Sequence, residues 1–405
     1  MSSKYKPIPR GTVTSPQGFL AGAIYAGIKT KGDGLLDLGL LCSEVPCVVA
    51  GVFTTNKIKA APVVLCQERL ARGRAQAIVV NSGCANACTG EQGMADSLEM
   101  AELAARKLGI SPQQVLVAST GVIGVPLPME NLRTEIEAIR LTPEGGHQLA
   151  EAILTTDTFP KEIAVSVRLG KKEVIIGGVA KGAGMIYPDL ATLLCFLTTD
   201  AAIGADLAQT MLRKVVDDSF NMIAIDSDTS TNDTVLLLAN GLAGNEPLKA
   251  GMAGAKVFQD ALREVCLYLA KGIVRGGEGA TKLFEVRVEG ALTLKDARMA
   301  ARAVASSPLV KAAIHGSDPN WGRIVAALGR SGAEIDPSKI DLYLGDTCLF
   351  KAGSPTSFDK EEARAVLSNS EVSFKVCLNL GKESATAWGC DLSEEYVTIN
   401  SAYVT

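Results

Sequence analysis

The chain has 405 residues, room for two domains or three, and 47% hydrophobic against 21% charged residues supply a large core. A net charge of −4 argues against nucleic acid as a partner, because phosphate binding needs a basic surface. No stretch approaches ~18 consecutive apolar residues, so no membrane span is expected, and the first residues, Met1 to Arg10, lack the apolar run of a signal peptide.

Ten cysteines without an export signal read as reduced thiols of a cytoplasmic protein. Cys84 and Cys88 stand four apart, but neither histidine is near them in sequence, so no metal site is expected. His147 and His315 are the only histidines. His147 sits at a helix start and reads as a surface residue, and His315 reads as part of a loop. Acyl-transfer chemistry would therefore run without a histidine base.

In chain order, Gly22 to Ile28 and Val48 to Phe53 read as strands. Ala77 to Val80 is a mostly β-branched run that stops at a loop of small and amide residues, 81–90. Met94, Leu98, Ala101, Ala105 and Leu108 recur at helical spacing, with Gly109 placed to end the helix. Val115 to Ala118 is a strand ending at Ser119-Thr120-Gly121, where a hydroxyl and a backbone N–H are placed to face a developing oxyanion. Taken alone, a Thr-Gly turn is more often only a turn. Helices are predicted at 130–140 and 143–154, the second with Thr142 as N-cap and Pro143 at its first position. The polar loop 155–158 follows; it suits a helix cap or a polar substrate equally. Lys161 and Glu162 close that loop and read as a solvated pair.

Strands at 164–168 and 173–178 lead to Lys181 and a glycine-rich loop with Gly182 and Gly184. Ala191 and Thr192 then precede an apolar run, Leu193 to Leu197, which reads as a buried strand. A threonine at that point is where a self-cleaving precursor would keep its nucleophile, since a cut before Thr192 leaves a free α-amine beside the hydroxyl as its base. The plain alternative is a threonine that simply opens a strand.

A helix at 204–218, a strand from Met222 to Ile225 and a polar stretch from Asp226 to Thr234 come next. That stretch lacks the glycine and distal glutamate of a calcium loop, so it reads as a hydrogen-bonded turn or a site wall. Phe258, Leu262, Val265 and Leu269 mark a long amphipathic helix ending at a glycine-rich run that holds Glu278, presented either to a cleft or to solvent. From Leu283 the pattern alternates, and residues 283–380 read as a smaller α+β unit: a strand, helices at 295–305 and 319–329, two short strands, a helix at 358–368 and a strand at 372–378. Residues 1–282 form the main unit, with the tail 381–405 expected to return to it.

Taken together, 81–90, 119–124, 155–158, Lys181 to Met185 with Ala191-Thr192, 277–282, 318–323, 388–391 and 400–405 resemble the ornithine acetyltransferase family, the glutamate N-acetyltransferases of arginine biosynthesis. The resemblance runs from about Gly11 to Thr405 without large gaps. It implies an α/β fold, a layered αββα sandwich like that of N-terminal-nucleophile hydrolases, with a smaller C-terminal domain. It implies self-cleavage between Ala191 and Thr192 into chains 1–191 and 192–405, paired in an oligomer. Thr192 would carry acetyl from N-acetylornithine to glutamate, with no cofactor; acetyl-CoA as a second donor is left open. Thr120 and Gly121 match the oxyanion-hole positions, and Thr155, Lys181, Thr192, Glu278, Asn400 and Thr405 match the substrate-contacting ones. Ser227 and Gly276 depart from the family pattern, where glycine and aspartate are common. The alternative is a related self-cleaving amidase or aminopeptidase that passes its acyl group to water.

Overall fold

The computed structural model describes residues 5–29, 34–187 and 193–402. The strands of the first half are β1 (Tyr5–Pro7), β2 (Phe19–Ile24), β3 (Leu38–Phe53), β4 (Arg74–Cys84), β5 (Val115–Val122), β6 (Lys161–Leu169), β7 (Lys172–Lys181), β8 (Leu194–Thr199), β9 (Ile223–Ala224) and β10 (Thr234–Ala239). The second half adds β11 (Leu283–Ala291), β12 (Asp341–Leu344), β13 (Thr347–Lys351), β14 (Ser354–Pro355), β15 (Glu371–Cys377) and β16 (Glu383–Cys390). The helices are α1 (Ala61–Leu70), α2 (Gly90–Leu108), α3 (Met129–Ala138), α4 (Gly146–Ala152), α5 (Ala205–Asp217), α6 (Ala253–Arg275), α7 (Leu294–Ala305), α8 (Pro308–His315), α9 (Trp321–Gly329), α10 (Lys360–Leu367) and α11 (Glu394–Ala402).

Nine strands form one mixed sheet in the order β1-β6-β7-β8-β10-β3-β4-β5, with β2 also paired to β3. β8 and β10 run parallel in the register Leu194↔Thr234, and so do β4 and β5 from Ala77↔Val115. The long strand β3 joins the two halves of the sheet, pairing β10 through its last residues and β2 through its first, with a register shift against β4 between Cys42 and Cys47.

Side-chain alternation then decides the layers. Leu194, Phe196, Leu236 and Leu238 of β8 and β10 share one core with Ile78, Val80, Leu116 and Ala118 of β4 and β5. Their neighbours Cys195, Leu197, Val235 and Leu237 face the other way, into a core with Leu212 and Val215 of α5 and Phe258, Leu262 and Val265 of α6. On the far side, Ala77, Val79, Val115 and Val117 pack with Met100, Ala101 and Ala104 of α2 and Leu132 and Ile136 of α3. The order is helices, one half of this sheet, its other half, helices, an α/β fold. Every residue of β8 and β10 is buried, as a strand covered on both faces must be.

The second sheet is β14-β13-β12-β15-β11-β16-β9. β11 pairs parallel to β15 and antiparallel to β16, and α7 packs on β11 and β16. Of the tail expected to return to the first unit, Glu383–Cys390 instead extends this sheet, because Leu283 to Val288 offers it an antiparallel edge. Ile223–Ala224, from the first half, completes the same sheet beside β16. The chain turns back toward the first sheet only at α11.

Several boundaries move. The first predicted strand lies at Phe19–Ile24, and the helix expected from 143 begins at Gly146. His315, expected in a loop, is the last residue of α8, an eight-residue helix opened by Pro308 and preceded by Ser307. Among the described residues no helix is long and apolar enough to cross a membrane.

Candidate active site

Segments that end or follow β4, β5 and β7 and segments that precede β6 and β10 meet at one cleft of roughly 610 Å³, counted to its open mouth. It is lined by Ala85, Thr120, Gly121, Ile123, Thr155, Lys181, Gly184, Ser230, Asn232, Glu278 and Asn400, among others. Six residues predicted from sequence, Thr120, Gly121, Thr155, Lys181, Glu278 and Asn400, thus meet from five segments of the chain. Ala191, Thr192 and Thr405 lie outside the described residues. Neither histidine lines the cleft: His147 bonds Glu162 and His315 bonds Asp391, each at 2.8 Å.

Lys181 is the centre of the polar network. It ends β7, opposite Leu194 at the start of β8. Its ammonium donates to Thr155 Oγ1 at 2.8 Å and to Thr120 Oγ1 at 3.3 Å. Burial pushes its pKa down, and the nearby Asp157 carboxylate acts against that shift. Asp157 itself is buried, which opposes ionisation, yet the Lys181 and Lys161 ammonium groups hold its carboxyl below the ordinary value. Its Oδ1 accepts from Lys161 Nζ at 2.6 Å and from the Gly182 N–H at 2.7 Å, while Oδ2 accepts from the Thr155 N–H at 3.1 Å.

The surface reading of Lys161 is therefore wrong. This lysine is 2% exposed and holds Asp157 four residues before it, with its ammonium also over the Phe159 ring at 4.7 Å. A side chain at Gly276, one of the departures noted above, would start 3.1 Å from Lys161 Nζ. The other, Ser227, is exposed.

Glu278 faces the cleft rather than solvent. Its N–H donates to the Ala183 carbonyl at 2.9 Å, and its Oε2 accepts from Asn400 Nδ2 at 2.8 Å. A Cβ on Gly184 would lie 2.5 Å from that same oxygen, so a side chain there would displace the Glu278 carboxylate from its present place. Gly121 is required twice over: its φ is +131°, and a Cβ would sit 2.3 Å from the Gly83 carbonyl carbon. Asp226 accepts from the Met185 N–H at 2.6 Å and from the Tyr396 hydroxyl at 3.4 Å, and so ties the glycine-rich loop to α11. Burial raises its carboxyl to about 6, against the pull of backbone N–H bonds from Asp228 and Met185.

Sequence reasoning did not assign roles to Asp157, Ser230, Thr231 or Asn232. The polar stretch 226–234 is both alternatives at once, a hydrogen-bonded turn and a wall of the cleft. Among the described residues no group of three or more His, Cys, Asp or Glu side chains is arranged to hold a metal ion.

The cleft combines one buried ammonium, one carboxylate, and a hydroxyl beside a glycine at positive φ. That set suits a small zwitterionic substrate and an acyl group whose oxygen gains charge.

Residues 20–405 match the model of the ArgJ family. The chain is 57% identical to an arginine biosynthesis bifunctional protein ArgJ of Symbiobacterium thermophilum, over 98% of this chain and 99% of that one. It is 52% identical over the full length of both to the protein of the same name from Dehalococcoides mccartyi. Among solved structures, a chain of the arginine biosynthesis bifunctional protein ArgJ of Bacillus halodurans is 45% identical, with a TM-score of 0.51, over 51% of this chain and 98% of that one. The chain, matched from end to end by such relatives, belongs to the ArgJ family.

Proposed function

We propose that the protein is a glutamate N-acetyltransferase that takes acetyl from N-acetylornithine, carries it as an ester on Thr192 and delivers it to glutamate. The observation that carries this reading is the meeting of Thr120, Gly121, Thr155, Lys181, Glu278 and Asn400 at one cleft beside the start of β8.

Self-cleavage between Ala191 and Thr192 gives the threonine a free α-amine. With a reference pKa of about 7.7–8, that amine is partly neutral near pH 7 and takes the hydroxyl proton. The hydroxyl oxygen bonds the acetyl carbon, the amide C–N bond breaks, and ornithine leaves with the proton on its amine. Glutamate's neutral α-amine then attacks the ester and Thr192 regains its proton. Splitting the transfer in this way predicts ping-pong kinetics.

Lys181 gives Thr120 its direction. An ammonium has donors only, so Thr120 Oγ1 accepts from it and the hydroxyl's own hydrogen points elsewhere. A hydroxyl that accepts from a cation is a stronger donor. This supports Thr120, with the Gly121 N–H, as the oxyanion hole, where one donor is typically worth about 3–4 kcal/mol. Glu278, steadied by Asn400, suits a substrate ammonium, and Lys181 with Thr155 a carboxylate; Thr405 completes the proposed contacts.

The Bacillus halodurans chain, matched over 98% of its length by 51% of this one, is the size expected of a protein cut near its middle. The relatives' name, bifunctional, is in keeping with a second activity, and we expect acetyl-CoA as a second donor. We also expect paired chains 1–191 and 192–405 in a cytoplasmic oligomer. Incubation with acetyl-labelled N-acetylornithine and glutamate tests the reaction. Labelled acetylglutamate supports the transferase, and labelled acetate alone supports water as the acceptor.

A further inference from the structure

The ladder between β4 and β5 is regular as far as Gly83↔Gly121 and then fails. Cys84 pairs with both Thr120 and Val122, and Gly121 stands at φ +131°. The backbone alone therefore does not fix Thr120 and Gly121 in place. One side chain bridges the irregular stretch. Asn232 Nδ2 donates to the Ala85 carbonyl at 2.6 Å and to the Ser119 carbonyl at 2.8 Å. These carbonyls belong to the residue after β4 and to the residue just before Thr120.

Asn232 is itself held on every polar atom of its amide. Its Oδ1 accepts from Thr231 Oγ1 at 2.6 Å, and its N–H donates to Ser230 Oγ at 3.0 Å. It is 5% exposed. The next residue faces the other way: Asp233 Oδ1 accepts from the Leu193 N–H at 2.8 Å, and the Thr234 N–H donates to the Leu193 carbonyl at 3.0 Å. Thr54 fixes the turn from behind, its hydroxyl donating to the Ser230 carbonyl at 2.7 Å and its N–H to the Asp233 carbonyl at 3.0 Å. Two adjacent residues thus connect the Thr120–Gly121 segment to the start of β8.

From this geometry we infer that Asn232 is a positioning residue for acyl transfer, its amide holding Thr120 and Gly121 at a set distance from the strand that follows the acetyl-bearing threonine. The inference rests on the acetyl-transfer reading above. It adds a residue that does not touch the reacting atoms and acts through the two carbonyls it bridges. Removing the amide takes the side-chain donor from both carbonyls and unlinks the Thr120 segment from the residue after β4. A displacement on the order of 1 Å at such a site costs about 10²-fold in rate.

The test compares Asn232→Ala, Thr120→Ala and the double variant in the full-length protein. Rates are normalised to the fraction of chain that electrophoresis shows to be cleaved. The expected result for Asn232→Ala is a kcat loss on the order of 10²-fold, with KM for N-acetylornithine little changed. Because both residues serve one step, the double variant should be no slower than Thr120→Ala alone. Losses that multiply, or an Asn232→Ala enzyme with wild-type kcat, overturn the inference while leaving the oxyanion reading intact. A Thr120→Ala enzyme with wild-type kcat overturns the oxyanion reading and this inference with it. Asn232→Asp preserves the shape should the alanine variant not fold. Ionised, it has no donor; protonated, it has one. Its kcat relative to wild type should rise as pH is lowered, and a constant ratio contradicts the positioning role.

Discussion

The two sheets bury their strands differently, and the difference locates the chemistry. In the first sheet β8 and β10 are buried on both faces, so polar groups at their ends cannot reach water. The start of β8 is satisfied from within, by Asp233 Oδ1 and the Thr234 N–H, and the neighbouring residues Ala85, Ser119, Thr155 and Gly182 by Asn232, Lys181 and Asp157. In the second sheet β15 alternates between exposed and buried, and the short strands β12 and β13 meet across a turn at Gly345 with φ +55°. Its polar groups lie largely on the half-exposed face and pair there, as Trp388 Nε1 does with Glu285 at 2.8 Å and Arg275 with Glu371 at 2.6 Å. Buried strand ends gather charge and hydroxyl groups into a site, while the half-exposed sheet supplies rigidity. Its half of the chain reaches the cleft through Glu278 and Asn400, which flank that sheet in sequence.

The largest effect that sharpens this contrast concerns stability. Phe284 of β11 is fully buried, and Phe284→Ala should cost about 3–5 kcal/mol in urea unfolding. The kcat of the protein that remains folded should stay within about twofold, since the ring touches none of the cleft. A specific collapse of kcat would show that the second sheet shapes the site directly.

Next is Lys181→Met in the first sheet. It removes a buried ammonium that donates to both Thr120 and Thr155, and kcat/KM should fall on the order of 10²-fold or more, the size typical of disabling one oxyanion-hole donor. A fall under tenfold would argue that Lys181 is structural filling.

A smaller effect is pH-dependent. The Asp226 carboxyl, raised to about 6 by burial, holds its proton more tightly in the folded than in the unfolded chain, where it ionises near its ordinary value of 3.8. The folded state therefore binds more protons between about pH 4 and 6, and this residue's contribution to stability falls as pH rises through that window, then levels off. Asp226→Asn should remove that slope. The stability of the variant minus that of wild type should increase from pH 4 to 6 in paired denaturation curves. A constant difference would contradict the assignment.

Smallest of all is Glu371→Ala. This residue pairs with Arg275 at 2.6 Å at the exposed edge of the second sheet, and its loss should change stability by about 0–1 kcal/mol and leave kcat unaltered.

What was legible in the sequence follows the same division. The apolar run after Thr192 is unmistakable as a buried strand, and the alternation from Leu283 predicts β11 directly. Helix α7 was predicted to within one residue, because Thr293 caps it and alanines mark its buried face. Short elements carried too little pattern. The strand read at Met222 to Ile225 is real but only two residues long, as β9, and α8, eight residues between polar loops, was not read as a helix. β10 escaped because its six apolar or β-branched residues follow a polar stretch that drew the reading instead.

Within the site, glycines and hydroxyls identified the loops, but partner choice was hidden. Lys161 looks like any surface lysine until the fold places Asp157 against it. Asn232 has no sequence signature for the two carbonyls it bridges, which lie 147 and 113 residues away along the chain. Long-range hydrogen bonds to backbone leave no trace in residue spacing.

The central claim concerns Thr192, the residue before Leu193. Mass spectrometry of the purified, active protein after brief exposure to N-acetylornithine tests it most directly. The account predicts two chains, with a fragment that begins at Thr192 and gains one acetyl group, lost again when glutamate is added. An intact, fully active polypeptide, or a leading threonine that never carries acetyl, would contradict it.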